Sequence, residues 1–321
     1  MKKTISIDTG NRLMKSESHV FPSSYMEGSH LPSMSGDVLH YAGKTYTLVD
    51  ENLPVLNDKT EDDRYFILCL FAIGKELVNE AKMMKKLTPH DHIKIDLLIG
   101  LPLQHYNAYK ERFERYFTNR PIIHYEYNGV HYSIKITRAF AFPQAYAAAV
   151  TVFDDLKDSN TVNIVDVGGF TVDCLQLYKF EPNLKLCTSL YWGVNTLFQN
   201  INDHMRSGGG NDISNSIIEG ILRKDPTDLA EYSQKRIDTI TNAAVNHAER
   251  MLAEIKQKGF DLEEDRTVFM GGGSVLLEEY ILQTGKVKKP LFINDVHANA
   301  KGYTQLYKMQ NIHANRKSHG A

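Results

Sequence analysis

Two short stretches each end an apolar strand in an acidic residue followed closely by glycine. Residues 4–10 read TISIDTG and residues 162–168 read VNIVDVG, so Asp8 aligns with Asp166 and Gly10 with Gly168, 158 positions apart. In the second copy Thr161, Val162, Ile164, Val165 and Val167 suit a buried strand. Gly168 and Gly169 then let the backbone turn tightly. Val172 reopens an apolar run, which makes this strand–turn–strand and not the strand–turn–helix of a dinucleotide site. The amides of such a turn can cradle a phosphate. A carboxylate does not attract phosphate itself, so Asp166 beside that turn points to a bridging Mg²⁺ or an oriented water. The first copy adds Asn11, a donor for a phosphate oxygen, and Lys15, a point charge within reach of it. An offset near half the chain predicts two related lobes, each contributing one phosphate-facing hairpin.

Two further stretches join the chemistry. Gly271-Gly272-Gly273-Ser274 stands between a strand predicted over Thr267–Met270 and a helix predicted over Val275–Leu282, which leaves bare backbone at a helix start for a ligand. The other glycine triple, Gly208-Gly209-Gly210, reads as a loop between helices. Within Ala139–Val150 a helix is expected to begin at Pro143-Gln144, with Pro143 in its first turn. That places Gln144 at a helix N-terminus, where one amide can both accept from and donate to a water. His90, His92, His124 and His131 lack the further ligands of a metal site. His124 and His131 are expected to pair across the hairpin they flank.

The elements that must position these residues follow from periodicity and turn signals. Lys2–Asp8 is the first strand. Val38–Tyr41 and Thr45–Val49 form a hairpin around Ala42-Gly43-Lys44. A helix runs from Arg64 to about Leu87. Ile93–Leu98 is a buried strand and Tyr106–Phe117 an amphipathic helix. Asn128-Gly129 closes a hairpin between Pro121–Tyr127 and Val130–Thr137. After the Asp166 hairpin come a strand over Leu184–Leu190 and helices over about 194–205 and Ile213–Leu222. A single long helix is expected from Pro226 to about Lys258. Leu291–Ile293 is the last strand, and a helix from His297 to Lys308 precedes a frayed tail over Asn311–Ala321.

Bulk composition narrows the class. The 321 residues are 42% hydrophobic, enough for about two domains with real cores. With 37 basic and 39 acidic residues the formal net charge is -2, which argues against a surface that coats nucleic acid. Cys69, Cys174 and Cys187 show neither CxxC spacing nor a disulfide framework. The N-terminus runs directly into a strand, without a signal-peptide pattern, and no apolar run approaches membrane-spanning length. A cytoplasmic setting is the expectation.

Taken together, these motifs resemble the actin/Hsp70/sugar-kinase ATPase superfamily over nearly the full chain. The resemblance rests on Asp8-Thr9-Gly10-Asn11…Lys15, Pro143-Gln144, Asp166-Val167-Gly168-Gly169-Phe170-Thr171-Val172-Asp173, Gly271–Ser274 and Asn299-Ala300-Lys301-Gly302, in that order. Within the superfamily the chain is similar to the bacterial actin-like proteins that segregate plasmids, the ParM/StbA-like group, and its Pro-Gln pair also resembles archaeal actin-like proteins. The resemblance implies an α/β, actin-like two-lobed fold with duplicated ribonuclease-H-like domains around a nucleotide cleft, each with a smaller peripheral subdomain. Lobe one would cover 1–158, with about 16–88 peripheral. Lobe two would cover 159–321, with about 205–262 peripheral and the C-terminal helix packed back on lobe one.

The resemblance also implies roles. Asp8 and Asp166 would organise Mg²⁺ through its waters. Gly10, Asn11, Lys15, Gly168, Gly169, Phe170 and Thr171 would hold the β- and γ-phosphates of ATP or GTP. Gly271, Gly272, Gly273 and Ser274 would back the ribose and α-phosphate. Gln144 falls where actin has a glutamine that orients the attacking water and typical ParM a glutamate. The implied protein is a Mg-dependent ATPase or GTPase whose hydrolysis is coupled to polymerisation. Its partners would be further copies of itself in a helical filament and a small DNA-binding adaptor on centromere-like plasmid DNA, with no direct sequence-specific DNA binding and no membrane. The alternatives within the same fold are a small-metabolite kinase and a nucleotide-binding chaperone or scaffold that does not polymerise.

Overall fold

The structure, a computed structural model, describes residues 1–28, 36–51, 54, 56, 58–78 and 92–319, of 313–319 the backbone alone. In chain order the elements begin with β1 (Lys2–Thr9), β2 (Leu13–Ser16), β3 (Val20–Pro22), β4 (Tyr25–Glu27), β5 (Val38–Tyr41) and β6 (Lys44–Leu48). There follow α1 (Arg64–Leu77), β7 (Ile93–Leu101), α2 (Leu103–Thr118), β8 (Ile123–Tyr127), β9 (Val130–Pro143), α3 (Tyr146–Val150) and α4 (Phe153–Leu156). Then come β10 (Thr161–Val167), β11 (Val172–Tyr178), β12 (Glu181–Leu190), α5 (Val194–Ser207), α6 (Asn215–Leu222), α7 (Pro226–Glu231) and α8 (Gln234–Gln257). The chain closes with β13 (Arg266–Met270), α9 (Gly272–Gln283), β14 (Pro290–Phe292) and α10 (Ala298–His319).

These elements form two compact units, one of residues 1–151 with 297–321, the other of residues 152–296. Among the described residues, the first unit holds a nine-stranded sheet in the order β3-β2-β1-β7-β9-β8-β5-β6-β4. β1, β7 and β9 are parallel neighbours at its centre. Parallel strands are covered on both faces and so read as unbroken apolar runs. Ile93, Ile95, Leu97, Leu98 and Ile99 of β7 accordingly have no exposed surface. α1 buries Tyr65 to Gly74 without a gap and packs on β1 and β2. On the other side α10 lies on β1, β7 and α3. It is anchored by Tyr307, whose hydroxyl donates to the buried carboxylate of Asp96 at 2.8 Å. Burial opposes ionisation of Asp96, but hydrogen bonds from Arg138, Lys2 and Tyr307 win and hold its carboxyl well below the usual range.

The second unit repeats the plan on a smaller scale, with a five-stranded sheet in the order β12-β11-β10-β13-β14. Val165, Val167 and Phe269 of that sheet share one apolar cluster with Phe198, Ile221, Ala248, Met251 and Leu277 of its helices. His247 is buried in α8. Its Nε2 donates to the carbonyl of Trp192 at 3.0 Å, and burial pushes its pKa down to about 4.

Four expectations change. β9 continues as strand through Pro143, so the helix expected from Pro143-Gln144 starts only at Tyr146. Pairing with β7 as far as Leu101↔Pro143 outweighs the helix propensity of the alanines. The long helix expected from Pro226 breaks at Tyr232, whose extended backbone separates α7 from α8. The C-terminal helix does not fray at Asn311 but runs to His319. His131 stands opposite Glu126, 3.2 Å from its carboxylate, while His124 faces Ser133, so the two histidines do not pair. The α1 prediction beyond Val78, with Met83 and Met84, and His90 lie outside the described residues. Among the described residues no group of three or more His, Cys, Asp or Glu forms a metal cluster, and no helix is long and apolar enough to cross a membrane.

Candidate functional site

Each unit places one acidic hairpin at the end of its central strand. In the first, Asp8 stands directly opposite Lys15 on the β1–β2 ladder. In the second, Asp166 stands directly opposite Asp173 on the β10–β11 ladder. The two hairpins therefore match in geometry and differ in charge at the facing position. Like charges directly across a ladder repel, so the Asp166–Asp173 pair suits a cation between or beside them.

Asp8 is 3% exposed and accepts from three side chains. Its Oδ1 accepts from Gln144 Nε2 at 2.6 Å and from the Tyr303 hydroxyl at 3.1 Å, and its Oδ2 from Asn299 Nδ2 at 3.3 Å. An ionised carboxylate only accepts, which fixes the Gln144 amide with nitrogen toward Asp8 and oxygen away from it. Gln144 lies in the turn that leads into α3, one residue before its N-cap Ala145. Its N–H donates to Leu101 O at 2.8 Å, and the next residue, Ala145, has φ +62°. Asn299 Oδ1 accepts from the Ala145 N–H at 3.0 Å, tying that turn to α10. Gly100 lies beneath the cluster, where a Cβ would meet the Tyr303 ring and come within 2.9 Å of Gln144 Cγ. The alanines of α3 pack against α10, and a Cβ on Gly302 would strike the Ala147 carbonyl. Gly10 is obligatory for a local reason, since a Cβ there would collide with the Leu13 carbonyl.

In the second unit the loop Gly168–Thr171 is held by the start of α5. The N–H groups of Val194, Asn195 and Gly193 donate to the carbonyls of Gly168 (3.1 Å), Gly169 (2.9 Å) and Phe170 (3.3 Å). Across a trans peptide the C=O and the following N–H point in opposite directions. With three successive carbonyls turned to α5, the amides of Gly169, Phe170 and Thr171 turn away from it. Three amides turned outward at one turn can meet an anion, with the positive end of the α5 dipole behind them. Gly193 makes it possible, because a Cβ there would lie 2.5 Å from the carbonyl carbons of Gly169 and Phe170.

The Gly271–Ser274 loop differs from its reading as bare backbone throughout. Gly271 (φ +88°) faces the Asp166 carboxylate, and a Cβ would come within 2.6 Å of Val167 O. Gly273 packs on Val167 and Val194, leaving 2.6 and 2.9 Å for a Cβ. Only at Gly272 does the missing side chain face open space. Gly272, Gly273 and Ser274 form the first turn of α9. Ser274 is wholly buried, with its hydroxyl donating to Gly271 O at 2.8 Å. Two glycines and the serine thus seat α9 against the Asp166 strand.

Residues outside the sequence-derived set also shape the site. Tyr303 and Asn299 lie one helical turn apart on α10, a spacing that could have flagged them as one face. Gly193, between an aromatic pair and an amphipathic helix, carried a helix-start signal. Lys59, Tyr65 and Ser23 lie in or beside an irregular stretch with no periodic signal. Lys59 is 7% exposed and Tyr65 3%; Lys59 Nζ donates to the Thr9 carbonyl and to Thr9 Oγ1 (3.2 Å). Tyr65 donates to Asn11 Oδ1 at 2.7 Å, and Ser23 Oγ to the Gly10 carbonyl at 2.6 Å.

Comparison with known proteins gives a consistent fold. Residues 6–146 match the family model described as actin like proteins N terminal domain, and residues 164–283 match that of the archaeal actin homologue MreB-like, C-terminal. No curated protein sequence matches the chain. Among solved structures, the chain is similar to Ta0583, an archaeal actin homolog, at 17% identity and a TM-score of 0.72, over 95% of this chain and 99% of that one. The complex of Ta0583 with ADP aligns with a TM-score of 0.70 at 17% identity, over 95% and 99%. A subunit of a 15-stranded ParM filament from Clostridium botulinum aligns at 18% identity and a TM-score of 0.65, over 96% and 100%.

Proposed function

We propose, on the premise that this chain has the two-sheet α/β fold of actin-like proteins, that it is a nucleotide-hydrolysing protein that assembles into filaments. The observation that carries the nucleotide part is the paired design of the hairpins. Each ends a central strand in a carboxylate, and each has its loop carbonyls held from behind so that amides turn outward. That is a way to bind phosphoryl oxygens with fixed dipoles. The ADP complex of one structural neighbour and the filament of another support the extension to nucleotide and to self-assembly.

In this reading Gly10, Asn11, Lys15 and the Gly168–Thr171 amides hold the β- and γ-phosphates of ATP or GTP. Gly271 to Gly273 lie against the rest of the nucleotide through the open side at Gly272. Asp8 and Asp166 suit Mg²⁺ held through water, with Asp173 opposite Asp166 adding to the negative field; the ion when bound would neutralise phosphate charge. Gln144, its nitrogen committed to Asp8, presents its oxygen as acceptor to a water and orients it for in-line attack on the γ-phosphorus. No carboxylate base is needed, because the transition state of phosphoryl transfer asks mainly for position and charge. Hydrolysis would weaken the assembling form of the subunit, and the role we favour for such a filament is moving plasmid DNA through a small DNA-binding adaptor.

The test is light scattering with phosphate release, using Mg-ATP, Mg-GTP and their non-hydrolysable analogues. Scattering that rises with either triphosphate and decays with phosphate release supports the reading. Phosphate transfer to a small metabolite without assembly would establish the kinase alternative instead, and nucleotide binding with neither would establish a scaffold.

A further inference from the structure

The second loop has its carbonyls held by a helix N-terminus; among the described residues Ser23 takes that place at the first loop, and Lys59 holds the carbonyl one residue earlier. Lys59 Nζ donates to the Thr9 carbonyl and Ser23 Oγ to the Gly10 carbonyl. By the same trans-peptide geometry, the Gly10 N–H points away from Lys59 and the Asn11 N–H away from Ser23. Ser23 thus stands where the second unit has the start of α5, its N–H also donating to Arg12 O at 3.0 Å, and the Lys59 ammonium adds a positive charge on the carbonyl one residue earlier, that of Thr9.

Its position is fixed on several sides. Thr9 Oγ1 accepts from Lys59 and donates to Gly100 O at 2.9 Å, on β7. The ammonium lies 5.0 Å from the ring centroid of Tyr65. The segment carrying Lys59 is pinned by Asp58, which pairs with Arg112 at 2.7 Å and accepts from the Thr60 N–H and hydroxyl. Tyr65 in turn donates to Asn11 Oδ1, so the Asn11 Nδ2 donors turn to the other side of that amide. One buried cation and one phenol therefore set both the backbone and the side chain of the first loop.

We propose that Lys59 and Tyr65 are positioning residues for triphosphate recognition. They brace the Thr9–Asn11 loop from behind, polarise its Gly10 amide, and fix Asn11 as a donor to phosphoryl oxygen. The inference rests on the nucleotide reading above. It assigns the lysine that matters behind the loop in addition to Lys15 on the adjoining strand.

The test compares the wild-type chain with Lys59→Met, Lys59→Arg and Tyr65→Phe. Each is titrated with Mg-ATP, Mg-GTP, adenosine and guanosine, and thermal melting is followed in parallel. Lys59→Met and Tyr65→Phe are expected to lower affinity for the triphosphate that wild type binds by about tenfold or more, as loss of a charge-assisted or buried hydrogen bond does. Nucleoside affinity stays unchanged, and Lys59→Arg, which keeps the charge, recovers part of the loss. Combining Tyr65→Phe with Asn11→Ala should cost no more than Asn11→Ala alone, since both act through one amide. Unchanged triphosphate affinity in folded variants overturns the brace, as does an equal loss for triphosphate and nucleoside. Should Lys59→Met fail to fold, Tyr65→Phe, which removes one oxygen, decides. A wild-type chain that binds neither triphosphate overturns the nucleotide reading itself, and is distinguished by needing no variant.

Discussion

The amide nitrogen of Gln144 donates to Oδ1 of Asp8 at 2.6 Å, which makes the connecting turn and the end of the first strand a single chemical unit. The two residues lie 136 positions apart, and Tyr303 and Asn299 of α10 close on the same carboxylate. Anything that disturbs one of the four is transmitted to the others through Asp8.

Gln144→Ala should slow phosphate release by about 100- to 1,000-fold, the range for removing one oriented polar group from a reacting centre. Assembly should persist and filaments should last longer. Phosphate release at the wild-type rate, measured on the purified variant, refutes the role given to Gln144.

Gln144→Glu places a second carboxyl at hydrogen-bond distance from Asp8, where both cannot ionise. The pair must share a proton, so one folded-state pKa rises above its unfolded value. The stability that this proton gives is complete at low pH and is lost as pH rises through the raised pKa. Relative to wild type, urea melts of the variant should lose stability as pH rises above the ordinary carboxylate range, and Gln144→Ala should show no such loss.

Asp173→Asn removes a like charge directly opposite Asp166. Without divalent cation the variant should melt at or above the wild-type temperature, by the equivalent of about 0.2–1 kcal/mol. With Mg-nucleotide the order should reverse, because the pair no longer offers two carboxylates to the ion. Asp166→Ala should abolish Mg-nucleotide binding or hydrolysis altogether, as read by calorimetry and phosphate release.

Gly193→Ala should be costly for a residue that touches no ligand. The new methyl would sit 2.5 Å from the carbonyl carbons of Gly169 and Phe170, so α5 or the loop must move. A loss of about 1–3 kcal/mol in denaturant melts is expected, together with weaker triphosphate binding. Gly272→Ala, where a Cβ meets nothing, is the matched control for stability.

His247 should make the second unit sensitive to acid. Burial holds its folded pKa at about 4, with the Trp192 carbonyl opposing and Arg250 assisting, whereas the unfolded chain takes up the proton near 6.5. As pH falls through that window the unfolded state binds a proton that the folded state refuses. Stability should therefore drop progressively from about pH 6.5 to pH 4, by about 3 kcal/mol in total. Denaturant melts of His247→Gln over the same range should be flatter than wild type by that amount.

The sequence alone determined the acidic tips of β1 and β10 and the turns that follow them. Asp8 and Asp166 were legible because an apolar alternation ending in Asp-x-Gly is a local signal, set by sterics within a few residues. It also determined the glycine loop before α9, though not what the glycines are for. The tertiary structure decided that Gly271 and Gly273 are small so that α9 can rest on Val167, and that Pro143 ends a strand because β7 pairs with it. Above all it decided what stands behind each Asp-tipped loop. Lys59 reaches Thr9 across 50 positions, and Gly193 meets Gly169 through the packing of a helix on a turn. Nothing in the local pattern marks such partners, because the orientation of a carbonyl is fixed by whichever donor the whole fold brings to it.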